Sequence, residues 1–266
     1  MSTPLITLVS LFLLFSVVKI ADIVSVQLFK KPLWVHLYWH KRRLTAHELK
    51  ILRANFPFYN KLSNRYKTYF EHRLATFIHK KNFVGRENLV IDDEKEVRIA
   101  ATVTMLTFGM RKYQLPLIQH VLVYPAAFYS KANDEMHKGE FNPKMRALVL
   151  SWEDFIAGYD DTHDNINLGI HEFTHAIHLN CLRHKSTTAT LFIASFNELH
   201  KVLHNPKIKE KLLSSGYFRS YAFTNKFEFL AVAVESFIES PVAFRQEFPL
   251  VYEKIRQMLN FRFSGY

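Results

Sequence analysis

The chain has 266 residues, of which 48% are apolar and 22% are charged, a composition close to the globular average. Seven glycines and nine prolines exclude collagen-like and Gly/Pro-rich disordered chains, and a single cysteine excludes a disulfide scaffold or a multi-cysteine metal site. The formal net charge of +11 is compatible with an anionic membrane surface, a nucleic acid or simply a basic proteome.

The N-terminus is strongly apolar. Residues 4–18 carry no charge, and a run of this length lies just below the ~20 residues that span a bilayer. Because no basic residue precedes the run and no good A-x-A site follows it, a secretory signal peptide is the weaker alternative. A buried amphipathic helix is also disfavoured, since the run is apolar all round. We therefore predict a membrane anchor at about residues 4–20.

Charges beside the anchor predict its orientation. Six basic residues follow the start of the run against the single acid Asp22: Lys19, Lys30, Lys31, Lys41, Arg42 and Arg43. The positive-inside rule then places the rest of the chain in the cytoplasm, at the cytoplasmic membrane, with a purely cytoplasmic protein as the alternative. We divide the chain into an anchor with a basic juxtamembrane segment, 1–44, and one domain, 45–266. Trp34, Tyr38 and Trp39 lie among these basic residues, where they either face the membrane interface or pack against the domain.

The remaining elements follow in chain order. A capping box, Thr45 to Glu48, opens a short helix, and Ser63 has the position of an N-cap for a second one. Further predicted elements are a helix at 94–108, a strand at 117–124, a loop at 126–145, a strand at 147–152, helices at 165–183, 187–203 and 225–239, and a last helix after Pro249. This order predicts a mostly helical α+β fold with a small sheet and no repeat.

One motif carries chemistry. His171-Glu172-Phe173-Thr174-His175 is an HExxH sequence, in which two histidines four residues apart lie on one helix face. Their imidazoles can hold one Zn²⁺, and the intervening glutamate can act on the attacking water. A chance HExxH is a real alternative in a chain with 14 histidines, but this one lies in an apolar helix, as the motif does in the zincin class of metallopeptidases.

A third zinc ligand is not decided by spacing. His178 lies seven residues after His171 on the same face. Glu228 opens the later helix, where it is equally well explained as the N3 glutamate of a cap at Asn225. Glu235 lies two turns further in an apolar stretch, and a buried glutamate needs a partner such as the N–H of a zinc-bound imidazole.

Several segments in order resemble the Mlc titration factor A (MtfA) family of zinc peptidases, whose catalytic core is similar to that of anthrax lethal factor. The resemblance covers about residues 55–250. It is carried by Phe56-Pro57-Phe58-Tyr59, Phe70-Glu71-His72-Arg73, Val121 to Pro125, Phe128, Leu150-Ser151-Trp152, Asn167, the HExxH motif, Tyr221 to Asn225, Glu228 and Glu235-Ser236-Phe237.

The resemblance implies a zincin-like metallopeptidase domain and assigns roles. The position of Glu228 is the family's third zinc ligand, that of Glu172 its catalytic base, and that of Tyr221 a group pointing at the reacting carbonyl oxygen. Two positions depart from the family: His178 replaces a usual Asp, and Lys226 replaces a usual Pro. The hydrophobic N-terminus is not general in the family either.

Helix geometry also disfavours His178 as the third ligand. Residues at i, i+4 and i+7 of a straight helix do not easily converge on one tetrahedral ion, because the outer Cα atoms are about 10 Å apart along the axis. His178 is then expected to contact a ligand side chain or to form part of the pocket wall, and Glu235 to hydrogen-bond a ligand imidazole. These residues predict a zinc-dependent peptidase acting on a peptide or protein substrate, with endo- and aminopeptidase modes left open. The strand at 147–152 is the candidate for pairing with an extended substrate, as sheet edges do.

Two other functions are alternatives to catalysis. The resemblance includes binding of a sugar-responsive transcriptional repressor, so a zinc-containing regulatory binding module with little turnover is the alternative. The intact Glu172 and Tyr221 favour catalysis over such a module. A nucleic-acid partner is not expected, since no nucleic-acid motif accompanies the basic charge and much of that charge lies beside the anchor.

Overall fold

The computed structural model describes residues 3–130, 134–161 and 164–263. Its helices are α1 (Thr3–Phe29), α2 (Ala46–Asn55), α3 (Pro57–Asn60), α4 (Asn64–Lys80), α5 (Asp93–Leu106), α6 (Trp152–Asp160), α7 (Leu168–Arg183), α8 (Thr187–Leu203), α9 (Pro206–Ser214), α10 (Lys226–Glu239), α11 (Pro241–Glu247) and α12 (Pro249–Met258). Its strands are β1 (Asn82–Gly85), β2 (His120–Tyr124), β3 (Phe128–Ser130), β4 (Glu135–His137), β5 (Gly139–Asn142) and β6 (Ala147–Ser151). The predicted mostly helical α+β fold is confirmed.

Helix starts follow the local sequence signals. The Thr45–Glu48 capping box is present at α2, where each side chain bonds the other's backbone N–H. Ser63 does precede α4, but its side chain makes no capping hydrogen bond. Asn167 caps α7, and Asn225 caps α10 by accepting from the N–H groups of Phe227 and Glu228. These caps satisfy backbone donors that a helix start leaves unpaired.

The sheet has four strands in the order β1-β2-β6-β5. Strands β1, β2 and β6 are parallel, and β5 is antiparallel to β6, with Gly139 opposite Leu150. A separate antiparallel pair joins β3 to β4. The predicted loop at 126–145 is therefore wrong over most of its described length, although its residues 131–133 lie outside the described part of the chain.

Helix α7 occupies the centre of the domain. It packs against α5 on one side and α10 on another, and it also contacts β5 and β6. Its residues Ile170, Phe173, Ala176 and Ile177 are all buried in the main hydrophobic core. The motif helix is thus enclosed on several faces, and the edge strand β5 lies along one of them.

Helix α1 contrasts with this packing. Nearly all side chains from Pro4 to Ile20 are exposed, and the helix is long and apolar enough to cross a membrane. Its second half contacts α8, where Asp22 and Val26 are buried. Only this part of α1 is packed against the domain.

Candidate metal centre

Helix α7 presents the first two candidate ligands. The side chain of Asn167 accepts a hydrogen bond from the N–H of Ile170 at 3.0 Å and so fixes the start of the helix. One turn later, His171 and His175 lie side by side, with ring centroids 4.8 Å apart. The sequence expectation that both imidazoles share one face is met.

Glu228 brings a carboxylate to the same point from α10. Its Oε2 lies 3.0 Å from Nε2 of His171 and 3.5 Å from Nε2 of His175, and the two Nε2 atoms are 3.1 Å apart. An ion about 2.0–2.1 Å from each donor in tetrahedral geometry would hold the donors about 3.3 Å apart. Two imidazoles and one carboxylate at this spacing therefore fit a zinc ion. Glu228 is directed to the histidines, and no capping box is formed at α10.

A network of hydrogen bonds holds His171 from behind. Its Nδ1 lies 2.7 Å from Oε1 of Glu235, which is fully buried. The guanidinium of Arg219 donates to both carboxylate oxygens of Glu235 at 2.9 Å, and the N–H of Asn167 donates to Oε2 at 2.9 Å. The predicted partner of Glu235 is thus an imidazole, and the His171 ring is fixed through Nδ1 while Nε2 faces the other candidate ligands.

Glu172 lies between α7 and the edge strand. The backbone N–H of Phe141 donates to its carboxylate, and burial raises the pKa of Glu172 above its usual range. A Cβ added to Gly139 would come within 2.8 Å of Cγ and 3.0 Å of Oε1 of Glu172. Gly139 therefore permits a close approach that a side chain would prevent.

Tyr221 covers the accessible side of the cluster. It lies in a 3-10 helix, Ser220–Phe223, is 49% exposed, and its ring centroid is 6.0 Å from that of His171. Burial of its hydroxyl, with the charge of Glu228 and a hydrogen bond to it, raises the pKa of Tyr221 to about 12. The phenol therefore stays protonated and remains a hydrogen-bond donor at neutral pH.

His178 lies apart from the three donors. It is buried among aromatic rings, with centroids 4.6 Å from Phe196 and 5.1 Å from Phe227. Burial and the charge of His175 lower the pKa of His178 to about 4. It therefore forms part of an uncharged aromatic wall beside His175.

The electrostatics of the cluster favour a cation. Burial lowers the pKa of His171, but the carboxylates of Glu228 and Glu235 outweigh burial and raise it to about 9. Burial alone would raise the pKa of Glu228. The hydrogen bonds from His171 and His175 outweigh burial and hold this pKa well below its usual range. Such a negative, desolvated site suits a divalent ion.

A wider cleft of about 520 Å³ adjoins the cluster and includes residues of β4, β5, α6 and α7. Gly139, Glu172 and Tyr221 line it together with Arg219. Sequence reasoning missed Arg219 and the strand at Gly139. Arg219 stands two residues before Tyr221, but no local pattern marks it as the partner of Glu235.

The chain is similar to another protein and to a family of metallopeptidases. An uncharacterized protein of Synechocystis sp. is 24% identical over 248 residues, which cover 84% of this chain and 87% of that protein. A family model described as glucose-regulated metallo-peptidase M90 matches residues 36–260. The match includes the α7 motif, Tyr221, Glu228 and Glu235, and it confirms the resemblance to the MtfA family. The chain therefore belongs to the glucose-regulated metallopeptidase family M90.

Proposed function

We propose that this protein is a zinc-dependent metallopeptidase held at a membrane by α1. The observation that carries the proposal is the convergence of Nε2 of His171, Nε2 of His175 and a Glu228 oxygen within 3.0–3.5 Å of one another. Three protein ligands with an accessible fourth side are the usual arrangement of a catalytic zinc site. When bound, zinc supplies Lewis-acid polarisation of the scissile carbonyl and acidifies water.

The chain's own residues complete the chemistry. The Glu172 carboxylate accepts a proton from the attacking water and delivers it to the nitrogen of the leaving amine. The Tyr221 hydroxyl, on the exposed side of the cluster, donates a hydrogen bond to the carbonyl oxygen as negative charge develops there. Glu235 holds the His171 ring through Nδ1, and Arg219 holds Glu235.

An extended peptide is the substrate that the edge strand suits. Strand β6, which the sequence made the candidate for substrate pairing, is wrong for that role because β2 and β5 flank it on both sides. Strand β5 is at the sheet edge and contacts Glu172 through Phe141 and Gly139. A substrate strand added to β5 would therefore pass beside the candidate base.

Catalysis is tested with two variants of the full chain. Glu172→Gln is nearly isosteric and not a ligand, so zinc content should be retained while hydrolysis falls about 10²–10⁴-fold. Tyr221→Phe should retain zinc, while its rate of hydrolysis falls about 10²–10³-fold. The assay is cleavage of a peptide library with free and with blocked N-termini, which also separates amino- from endopeptidase activity. Unchanged cleavage in Glu172→Gln contradicts the role of base, and zinc-loaded protein without any turnover favours the regulatory binding module.

The ligand set is tested by a matched pair. Glu228→Ala should lower zinc affinity severely, because it removes one of three donors, whereas His178→Ala should leave it unchanged. Zinc retention is measured under graded chelator in both variants. The reverse order would assign the third ligand to His178.

The membrane location has its own test. The proposed anchor predicts that the full chain floats with lipid vesicles after carbonate washing and that a C-terminal reporter is active only in the cytoplasm. An N-terminus cleaved after the apolar run would identify a signal sequence, and a reporter active only outside would reverse the topology.

A further inference from the structure

The segment that follows α1, residues 30–44, has one face packed on the domain. The Trp34 ring lies under the guanidinium of Arg111 at 4.0 Å, and the Tyr38 hydroxyl accepts a 2.5 Å hydrogen bond from Nε of the buried Arg73. The His36 ring stacks on Tyr69 with centroids 4.8 Å apart. Of the aromatic residues predicted to be either interfacial or packed, Trp34 and Tyr38 are thus packed. The path of the segment is fixed by these contacts.

The other face of the same segment is apolar and unpacked. Leu37 is 71% exposed and Trp39 is 92% exposed, and Leu33 is also exposed. The segment contains no acidic residue and five basic ones: Lys30, Lys31, Lys41, Arg42 and Arg43. A fully exposed tryptophan among cations is typical of a membrane–water interface, where the ring sits at headgroup level.

A basic pocket of about 340 Å³ adjoins this face. Its charged lining residues are Lys31, Arg65 and Arg262, and no aspartate or glutamate is among its lining residues in the part of the chain that the structure describes. His36 also lines it, and Nε2 of His36 is buried with no hydrogen-bond partner among the described residues. Three cations and an unpaired imidazole nitrogen suit a phosphate group.

The contact between α1 and the domain determines the depth of segment 30–44 relative to the bilayer. Residues 4–20 would span about 25 Å at 1.5 Å per residue, and residues 21–29 extend about 13 Å further. Both carboxylate oxygens of Asp22 lie 2.5 Å from the Arg111 guanidinium, and Asp22 also accepts from the Thr187 hydroxyl. The domain is therefore fixed to α1 just past the apolar run. Segment 30–44 begins beyond that point but turns back along α1, because the N–H of Leu33 donates to Oδ1 of Asp22 at 3.0 Å. Leu33 thus lies at the level of Asp22, close to the lipid headgroups.

We propose that segment 30–44 and its basic pocket form a second membrane contact, in which Leu37 and Trp39 enter the interface and the pocket binds the phosphate of an anionic phospholipid. The contact rests on the proposed α1 anchor. It would hold the peptidase domain in one orientation on the bilayer, with each basic side chain near the surface attracted to anionic headgroups.

The test uses the full chain in nanodiscs of phosphatidylcholine, with and without phosphatidylglycerol, whose acyl chains carry bromine. Bromine quenches only nearby tryptophan, and α1 itself contains none. In anionic nanodiscs we expect strong quenching that is mostly lost in Trp39→Phe and retained in the matched control Trp152→Phe. Quenching that is the same in Trp39→Phe and wild type overturns the contact. Equal quenching in both lipid mixtures overturns the preference for anionic lipid.

Two further arms identify the ligand. Arg65→Gln with Arg262→Gln should lower the equilibrium constant of the membrane contact, obtained from the fraction of Trp39 quenched as phosphatidylglycerol content is raised, by about fivefold per charge removed. Lys144→Gln with Lys207→Gln, on the β5–β6 turn and α9, should leave it unchanged. If the arginine pair left quenching in anionic nanodiscs unchanged, while inorganic phosphate raised the melting temperature of the wild type but not of the arginine pair, the pocket would be assigned to free phosphate and the lipid assignment overturned. A chain that does not float with vesicles contradicts the anchor itself, whereas one that floats without Trp39 quenching contradicts only the second contact.

Discussion

Two fully buried carboxylates in distant parts of the molecule are held by nearly the same groups. Asp22 in α1 accepts two hydrogen bonds from Arg111 and one from the N–H of Leu33. Glu235 in α10 accepts two from Arg219 and one from the N–H of Asn167. In each case the bidentate arginine compensates the buried charge that would otherwise be costly.

The difference lies in the last partner. Asp22 binds the Thr187 hydroxyl, so its network joins one helix to the domain and ends there. Glu235 binds Nδ1 of His171, whose other nitrogen belongs to the candidate metal cluster. The same kind of buried ion pair thus fixes a helix to the domain in one region and orients a candidate metal ligand in the other. The role of each ion pair therefore depends on the further group that its carboxylate contacts, and not on the arginine–carboxylate geometry, which is alike in both.

Asp22→Asn should release α1 from the domain. The change leaves the Arg111 guanidinium unpaired in the docked state, and breaking a buried pair costs about 3–5 kcal/mol. Because undocking lets Arg111 regain water, the loss should appear as release of α1 and not as unfolding of the domain. Hydrogen exchange of residues 19–34 should become much faster while zinc affinity is unchanged. The matched control Asp93→Asn removes an exposed carboxylate that pairs with His47, and it should leave this exchange as in wild type.

Glu235→Gln should instead lower zinc affinity and leave α1 packed on the domain. It keeps a hydrogen-bonding side chain but removes the negative charge that orients His171, and loss of such a support usually lowers metal affinity 10–100-fold. Chelator competition measures this loss, and Glu198→Gln, which changes a glutamate bonded to Lys30 and Lys254, is the control. If Glu235→Gln released α1, or kept full zinc affinity, the two carboxylates would not have the separate roles of attaching α1 and orienting His171.

The sequence predicts these two regions unequally. The HExxH helix, its α+β setting and the position of Glu235 all follow from local periodicity and from family resemblance. Arg219 and Arg111 do not, because the partner of a buried carboxylate is chosen by the fold: Arg111 is 89 residues from Asp22 in the chain. Strand β5 was missed for a related reason. Its glycine and asparagine are typical of loops, and it becomes a strand only by pairing with β6.

The half-buried carboxyl of Glu239 in α10 differs from the two arginine-bonded carboxylates, because no arginine bonds it among the described residues. Its Oε1 accepts a 3.1 Å hydrogen bond from the Asn167 amide, and its Oε2 has no hydrogen-bond partner among the described residues. Burial, together with the charges of Glu235, Asp164 and Asp161, raises the pKa of Glu239 to about 8. Lys61 also lines the cavity beside it but does not bond the carboxyl. Without an arginine, burial therefore leaves this group protonated at neutral pH.

This difference predicts a smaller, pH-dependent effect of Glu239→Gln. In the unfolded chain the carboxyl has a pKa of about 4.3. Between that value and about 8 the folded protein holds a proton that the unfolded chain has released, so the free energy of unfolding falls as pH rises through this window and levels off above it. Glutamine cannot ionise and should abolish this part of the fall. Because the carboxyl is partly accessible, we expect the variant to gain about 1–3 kcal/mol relative to wild type between pH 5 and pH 9. Urea unfolding of both proteins across that range measures it, and a difference independent of pH would mean that Glu239 is ionised throughout and that burial without an arginine does not keep a carboxyl neutral here.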